Sequence, residues 1–362
     1  MQTNHAPLKI LIISDAWHPQ LNGVVRTYEH LIEELEKRGH IVKVIGPSDF
    51  PCTIPTPGYR EIKLAIAPYK HLKRLIDDFA PNRIHIATEG PLGWAARKYC
   101  KKHGRQFSTS FHTLFPDYVA KRAAKYLPFL YKPAHAIAKS IIRHFHQPSI
   151  VMMVATQSLE DTLREWGFTP AIMRLTRGAK IDTFSPGEKT KFKDLQSPIA
   201  LYVGRIAIEK NIEAFLSMQW QGEKVIIGEG PAKAELEAKY PSAHFLGKKT
   251  GNELAEYYRS ADVFVFPSRT DTFGMVLIEA LACGTPVAAY NVTGPKDIIT
   301  QDYLGALNAD LSKAALNALT HGTAQERANH IAQHYTWETA AQQFETALTV
   351  PIINGKIIAN GS

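Results

Sequence analysis

Short, unbroken apolar runs recur along this chain, and a helix-length amphipathic stretch follows most of them before the next begins. A strand that is apolar at every position needs burial on both faces, which a parallel sheet covered by crossover helices supplies. In the first half the runs are KILIISDAW (Lys9 to Trp17), IVKVIG, EIKLAI, RIHIAT, QFSTSFHT and SIVMMVAT. Between the first two, the spacing predicts a helix from about Val24 to Arg38. Tyr28, Leu31, Ile32 and Leu35 recur on one face of it, and Gly39 ends it. From Pro198 the rhythm restarts with IALYVGRI, KVIIGEG, AHFLGK, DVFVFPS and PVAAYN, and helices are predicted at about Ala232 to Lys239, Gly251 to Ser260 and Met275 to Cys283. The predicted fold class is therefore α/β, with two Rossmann-like, doubly wound parallel-sheet domains in series.

A length of 362 residues suits two domains of ordinary size. The expected division is 1–185 for the N-terminal domain, 186–335 for the C-terminal domain, and 336–362 for a helix and tail, the helix packing back toward the N-terminal domain. Residues Phe184 to Ser197 (FSPGEKTKFKDLQS) have the Pro, Gly, Ser and charge content of an interdomain connection. With 45% hydrophobic and 21% charged residues, the chain is neither disordered nor fibrous. Cys52, Cys100 and Cys283 match no zinc or redox spacing, which points to reduced thiols in a cytoplasmic compartment. The apolar run from Leu8 is too short for a signal peptide or a membrane span and reads as the first core strand.

Ligands of doubly wound sheets bind beyond the carboxyl ends of the strands, so the chemistry belongs in the loops that follow them. Asp15 to Thr27 (DAWHPQLNGVVRT) brings Gly23 to a helix start, where backbone amides can meet a phosphate. An ordinary strand-to-helix turn reads from the same residues, since the spaced glycines of a dinucleotide fingerprint are missing. Ser110 to Tyr118 (SFHTLFPDY) places His112 at a strand end before a predicted helix, a position where a histidine can equally be structural. Gly204 to Asn211 (GRIAIEKN) supplies Arg205 and Lys210, a guanidinium fork and a point charge suited to a diphosphate, or a solvated turn. The most specific segment is SRTDTFGMVLIEALACGTPV from Ser268 to Val287. There Asp271 lies in a loop, Phe273 and Gly274 open a helix, and Glu279 follows two turns after Thr272 on the same face. A buried carboxylate there needs partners, and sugar or ribose hydroxyls can provide them.

These segments resemble glycosyltransferase family four, whose signature is a glutamate, seven residues and a second glutamate. Here Asp271, TFGMVLI and Glu279 fill that pattern with aspartate in the first place. NGVVRT, SFHTLFPDY, RGAKIDTFSPG, YVGRIAIEKN, VIIGEGP, HFLG and ADVFVFPS extend the resemblance over roughly residues 8 to 345. It implies the GT-B architecture, in which the two domains face a central cleft, and a retaining enzyme whose UDP- or GDP-sugar is a donor substrate, with no cofactor. It implies that Arg205 and Lys210 neutralise the donor diphosphate and that Glu279 holds the ribose. Asp271, with the amides of Phe273 and Gly274, would bind the donor sugar. His112 would lie near the reacting carbon, Gly23 and Gly204 would admit the phosphates, and the residues around Gly247 would line the base. Aspartate at 271 shortens the reach, which bears on the choice of sugar. No D-x-D pair occurs in the chain, so no metal clamp is expected.

The formal net charge is +8, and its excess is local. From Gly90 to Leu159 there are eleven cations, namely Arg97, Lys98, Lys101, Lys102, Arg105, Lys121, Arg122, Lys125, Lys132, Lys139 and Arg143, against the single acid Asp117. Residues Ala124 to Phe145 mix such cations with Tyr, Phe, Leu and Ile, which suits attraction to an anionic membrane surface or a solvated basic face over an ordinary core. The family forms resembled most belong to the branch that glycosylates diacylglycerol lipids or transfers mannose. The expectation is a hexosyltransferase with a lipid acceptor, peripheral at the inner face of the plasma membrane. A soluble or polysaccharide acceptor, a sugar-nucleotide epimerase or hydrolase, and a non-catalytic sugar-nucleotide-binding protein are the alternatives. Nucleic acid is not expected, because no binding module for it is recognisable.

Overall fold

The structure is a computed structural model that describes residues 6–20, 22–56, 59–112, 129, 131–353 and 356–357. The chain divides into two compact units, one of residues 1–176 with 340–362 and one of residues 177–339.

Unit one runs β1 (Lys9–Ile13), α1 (Gly23–Lys37), β2 (Ile41–Ile45), β3 (Thr53–Thr56), β4 (Tyr59–Ala65), α2 (Tyr69–Phe79), β5 (Arg83–Ile86), α3 (Pro91–Lys102), β6 (Ser108–Phe111), α4 (Tyr131–His146), β7 (Val151–Val154), α5 (Gln157–Glu165) and β8 (Ala171–Arg174). Six strands form one sheet in the order β2-β1-β5-β6-β7-β8, parallel at every pairing. The apolar runs behave as their composition requires: Ile10 to Ile13 and Val151 to Val154 are buried throughout. α1 buries Val25, Tyr28, Leu31 and Leu35 on one face, and the Asn22 side chain caps it by accepting from the amides of Val24 and Val25.

Two expectations about strands are corrected. The run EIKLAI is not in the parallel sheet; as part of β4 it pairs antiparallel with β3 in a separate hairpin. Its alternation of polar and apolar residues marks a strand with one solvated face, and Lys63 is exposed where Ala65 is buried. The edge strand β8 was not anticipated, because its four residues (AIMR) carry too short a pattern to stand out.

Unit two repeats the plan with β9 (Ala200–Val203), α6 (Ile212–Ser217), β10 (Lys224–Ile227), α7 (Lys233–Lys239), β11 (His244–Phe245), α8 (Gly251–Ser260), β12 (Val263–Phe266), α9 (Met275–Ala282), β13 (Val287–Ala289), α10 (Pro295–Ile298), β14 (Gly305–Leu307), α11 (Leu311–Ala318) and α12 (Ala324–His334). Its sheet has the order β11-β10-β9-β12-β13-β14 and is also parallel throughout. The three-residue β14, like β8 and the hairpin strand β3, is a strand that the sequence pattern did not reveal. In each sheet the first strand has the second on one side and a later strand on the other. The strand order therefore reverses between β1 and β5 and between β9 and β12, where crevices open at the carboxyl edge.

The division falls at Thr176/Arg177, nine residues before the expected boundary at 185/186. Residues 184–197 do not form a free connection, because polar contacts hold them on unit two. Arg259 donates through Nε to the Ser185 carbonyl (2.6 Å) and through Nη2 to that of Thr183 (3.1 Å). Lys189 pairs with Asp262 (2.6 Å) and Lys191 with Glu256 (3.0 Å). The second division, at 339/340, falls inside α13 (Trp337–Thr349). From Ala340 onward this helix packs with unit one, burying Phe344, Ala347 and Leu348. Glu345, 5% exposed, receives Arg38 Nη2 at 2.7 Å, and the Leu348 carbonyl receives Arg83 Nε at 2.7 Å.

Removing one partner of such an enclosed pair costs more than an exposed one, on the order of 3 kcal/mol. Glu345→Ala should lose about that much in urea unfolding and raise hydrogen exchange across residues 340–349. Unchanged exchange there would show that packing alone holds the helix.

Candidate functional site

At the crevice of unit two, the loops after β9 and β12 meet. Asn211 sits in left-handed backbone (φ 54°), and its side-chain amide donates to the Pro267 carbonyl at 3.0 Å. That contact fixes GRIAIEKN against SRTDTFG and brings Lys210 Nζ within 2.6 Å of Asp271 Oδ1. Sequence reasoning assigned these two residues to different parts of a ligand, whereas the structure pairs them with each other. Asp271 Oδ2 is buried and has no hydrogen-bond partner among the described residues, so the carboxylate keeps an acceptor to offer. Arg205 is half exposed and only loosely paired, 3.7 Å from Glu209, while its carbonyl accepts from the Tyr202 hydroxyl at 2.9 Å.

The β12–α9 loop ends at Gly274, which begins α9 in left-handed backbone (φ 92°) and gives it no side-chain cap. The first-turn amides of this helix therefore lack the cap that Asn22 supplies in α1. Phe273 is buried, with its ring 6.0 Å from that of Tyr335. Glu279 lies on α9, and its Oε2 receives the Tyr258 hydroxyl at 3.2 Å. Tyr258 is wholly buried, and burial beside Glu279 drives its phenol pKa well above the ordinary value, so it remains a donor. Sequence spacing did not single out Tyr258; a hydroxyl at a core position of α8 was its only signal.

Glycines close the backbone around this crevice. A Cβ on Gly294, which has φ 91°, would fall 3.0 Å from the Asp271 carbonyl and 2.9 Å from that of Phe273. The β13–α10 loop thus presses directly on the site loop. Gly204, Gly228 and Gly247 end three neighbouring strands, with the Gly204 amide donating to Ile227 and that of Gly228 donating to Gly247. Gly23 has open space where a side chain would stand.

Unit one has a polar network at its own crevice, most of which sequence reasoning missed. Tyr28 on α1 is fully buried, and its hydroxyl lies 2.8 Å from His85 Nε2, 3.1 Å from Ser110 Oγ and 3.2 Å from His112 Nε2. His112 is half-buried just after β6 and is thus oriented by a core tyrosine. Burial lowers the His85 pKa to about 3, which keeps the ring neutral. A histidine inside the apolar run RIHIAT was the available signal for it.

Beside this network, Asp15 follows β1 and caps α3. Its Oδ1 accepts from the Leu92 amide at 2.9 Å, and its Oδ2 from the Gly93 amide at 3.2 Å and the Thr88 hydroxyl at 3.0 Å. Burial nevertheless dominates and raises its pKa to about 6, against the opposing effect of those three donors.

The basic segment divides in two. Arg97 is buried and donates to the carbonyls of Phe145 and His144, so its charge is spent inside the unit. Lys98, Lys101 and Lys102 lie on α3, and Lys132, Lys139 and Arg143 on α4, where Ile137 and Ile141 are 62% and 50% exposed. Lys121, Arg122, Lys125 and the expected helix after His112 lie outside the described residues. Among the described residues, no helix is long and apolar enough to cross a membrane.

Comparison with known proteins matches each half of the chain to a family. Residues 21–179 match the family described as Glycosyltransferase Family 4, and residues 187–334 match Glycosyl transferases group 1. A GDP-mannose-dependent alpha-mannosyltransferase of Mycobacterium tuberculosis is 28% identical over 324 residues, covering 83% of each chain. An alpha-monoglucosyldiacylglycerol synthase of Streptococcus pneumoniae is 24% identical, covering 93% of this chain and 83% of that one. Among solved structures, sucrose-phosphate synthase from Thermosynechococcus elongatus superposes with a TM-score of 0.75 at 22% identity, over 94% of this chain and 98% of that one.

The Asp15 carboxyl gives a test with a defined sign. Its folded pKa lies above its unfolded one, so the unfolded carboxyl ionises first and stability falls as pH rises from about 4 to about 6. Asp15→Asn removes that titration. The variant's stability relative to the unaltered protein should rise by up to about 3 kcal/mol between pH ~4 and pH ~7, measured by chemical denaturation. A difference that stays constant with pH would contradict the burial of an ionisable group there.

Proposed function

This chain belongs to the family 4 glycosyltransferases and is built of two Rossmann-like units of the GT-B type, and on that premise we propose that it moves a hexose from a UDP- or GDP-sugar to a membrane lipid with retention of configuration. The observation that carries the donor assignment is the Lys210–Asp271 pair at the unit-two crevice, beside the uncapped start of α9.

Breaking a glycosyl phosphate bond leaves negative charge on the departing diphosphate, and stabilising that charge is the largest catalytic demand. Arg205, Lys210 and the first amides of α9 meet it, with no metal clamp. The Asp271 carboxylate accepts from donor-sugar hydroxyls, using the oxygen that has no partner among the described residues. Glu279, supported by Tyr258, accepts from the ribose hydroxyls. The acceptor hydroxyl attacks the anomeric carbon on the face from which the diphosphate leaves, and its proton passes to the departing phosphate oxygen. His112, held by Tyr28, is the residue that contacts the transferred sugar, and no side chain acts as nucleophile.

The lipid acceptor is supported by α4, which presents Ile137 and Ile141 among Lys132, Lys139 and Arg143. The relative named as an alpha-monoglucosyldiacylglycerol synthase supports it as well. The protein would then work as a peripheral protein on the cytoplasmic face of the membrane, where anionic lipid attracts such cations at about 1 kcal/mol each.

Two measurements test this reading. One UDP- or GDP-sugar should stabilise the protein selectively in thermal melts. Arg205→Ala and Lys210→Ala should then lower kcat/KM by roughly 100-fold or more, with EDTA without effect. Full activity in both folded variants would refute the diphosphate assignment, and selective binding without any turnover would leave a binding protein instead. For the membrane, Ile137→Ser with Ile141→Ser should weaken flotation with phosphatidylglycerol vesicles by roughly tenfold. Undiminished flotation would remove α4 from the contact.

A further inference from the structure

Beside Asp271 lies a cation that the donor reading does not use. Arg269 is exposed in the β12–α9 loop, and its guanidinium carbon stands 3.6 Å from the centroid of the Tyr290 ring. Tyr290 follows β13 and is 7% exposed, so the platform under the cation is part of the core. Two carboxylates stand in the neighbouring loops, and each faces another cation. Glu209 faces Arg205, and Asp271 holds Lys210. Among the described residues Arg269 has neither a hydrogen bond nor an ion pair, and the ring is its one recorded partner.

An exposed arginine ordinarily wanders among rotamers, and binding an anion then costs the ordering of its side chain. Here that ordering is partly done beforehand. The stack covers one face of the guanidinium and leaves its N–H edge in solvent. The platform cannot drift from the site either, because Gly294 packs the loop after Tyr290 against the backbone of Asp271 and Phe273. The result is a directed fork of donors two residues from the carboxylate assigned to the donor sugar, with a positive charge that has no ion-pair partner among the described residues. Planar and tetrahedral oxyanions fit such a fork best.

We propose that Arg269, stacked on Tyr290, is a recognition site for a second oxyanion beyond the donor diphosphate: a carboxylate, sulfonate or phosphate carried by the transferred sugar or by the acceptor. The proposal rests on the donor assignment above. It makes Arg269 a specificity residue and not a catalytic one, because it favours acidic partners over neutral ones of the same shape.

The test uses neutral and acidic twins. Binding of UDP-glucose against UDP-glucuronate, and of GDP-mannose against GDP-mannuronate, is measured by calorimetry for the full chain and for Arg269→Gln and Arg269→Lys. Transfer to diacylglycerol against phosphatidylglycerol in neutral micelles follows, using whichever donor binds. The expected result is a loss of about tenfold or more for one acidic twin in Arg269→Gln, a smaller loss in Arg269→Lys, and less than about twofold for its neutral twin. A loss in the nucleotide-sugar arm places the anion on the sugar, and a loss confined to the lipid arm places it on the acceptor. Equal effects on acidic and neutral twins, or none in either arm, overturn the proposal, and Arg269 then only covers Tyr290. If the unaltered chain binds none of the four nucleotide sugars, the donor assignment falls and this inference falls with it. A donor that binds with Arg269→Gln unchanged throughout sinks this inference alone.

Discussion

Parallel pairing governs the placement of everything functional in this chain. When all strands of a sheet run the same way, every strand delivers its following loop to the same edge, whatever the distance between strands in sequence. β9 and β12 are neighbours in the sheet although some sixty residues separate them, and the loops they release meet at one crevice. Lys210 and Asp271 can pair at 2.6 Å only because of that adjacency. Asn211 and Gly294 then refine the meeting, the first by bonding one loop to the carbonyl of the other and the second by letting a third loop press close. The site is thus an outcome of strand order, completed by a few residues with special backbone needs.

The two units manage polar groups at their edges in different ways. Unit two keeps its charges accessible and partly compensated, as a surface awaiting an ionic ligand should. Unit one instead buries its polar groups and mostly silences their charge. His85 is held neutral by burial, and Asp15 is driven toward its protonated form even though two amides and a hydroxyl point at it. Groups in such surroundings position neighbours more than they titrate, and the link from His85 through Tyr28 to His112 shows how a core residue can aim one at the edge.

Much of this was legible in the amino-acid order, and the exceptions have physical causes. The apolar runs and the 3.6-residue spacing of Tyr28, Leu31 and Leu35 carried the helices and most of the strands, because two-sided burial leaves a strong mark. β8 and β14 left almost none, being only four and three residues long at sheet edges. EIKLAI misled because its apolar content was weighed above its alternation, which is the signal of an antiparallel, half-solvated strand. In the site, Arg205, Lys210, Asp271 and Glu279 stood out by type and position. Tyr258, His85 and the Lys210–Asp271 pair did not, since each depends on which elements become neighbours, and no local pattern encodes that. Residues 184–197 have a linker's composition, yet arginine and lysine contacts made with α8 and the turn after it hold them in place, which composition does not encode.

The last helix has a consequence for how the molecule comes into being. Unit one receives residues 1–176 early in synthesis, but the carboxylate that meets Arg38 and the carbonyl that meets Arg83 arrive only with residues 345 and 348. All of unit two is made in between. A growing chain must therefore hold a first sheet that lacks its last packing helix, with two arginines and an apolar face still waiting, while a second complete unit is made. The order of translation and the order of completion are opposite in this protein: the half begun first is finished last.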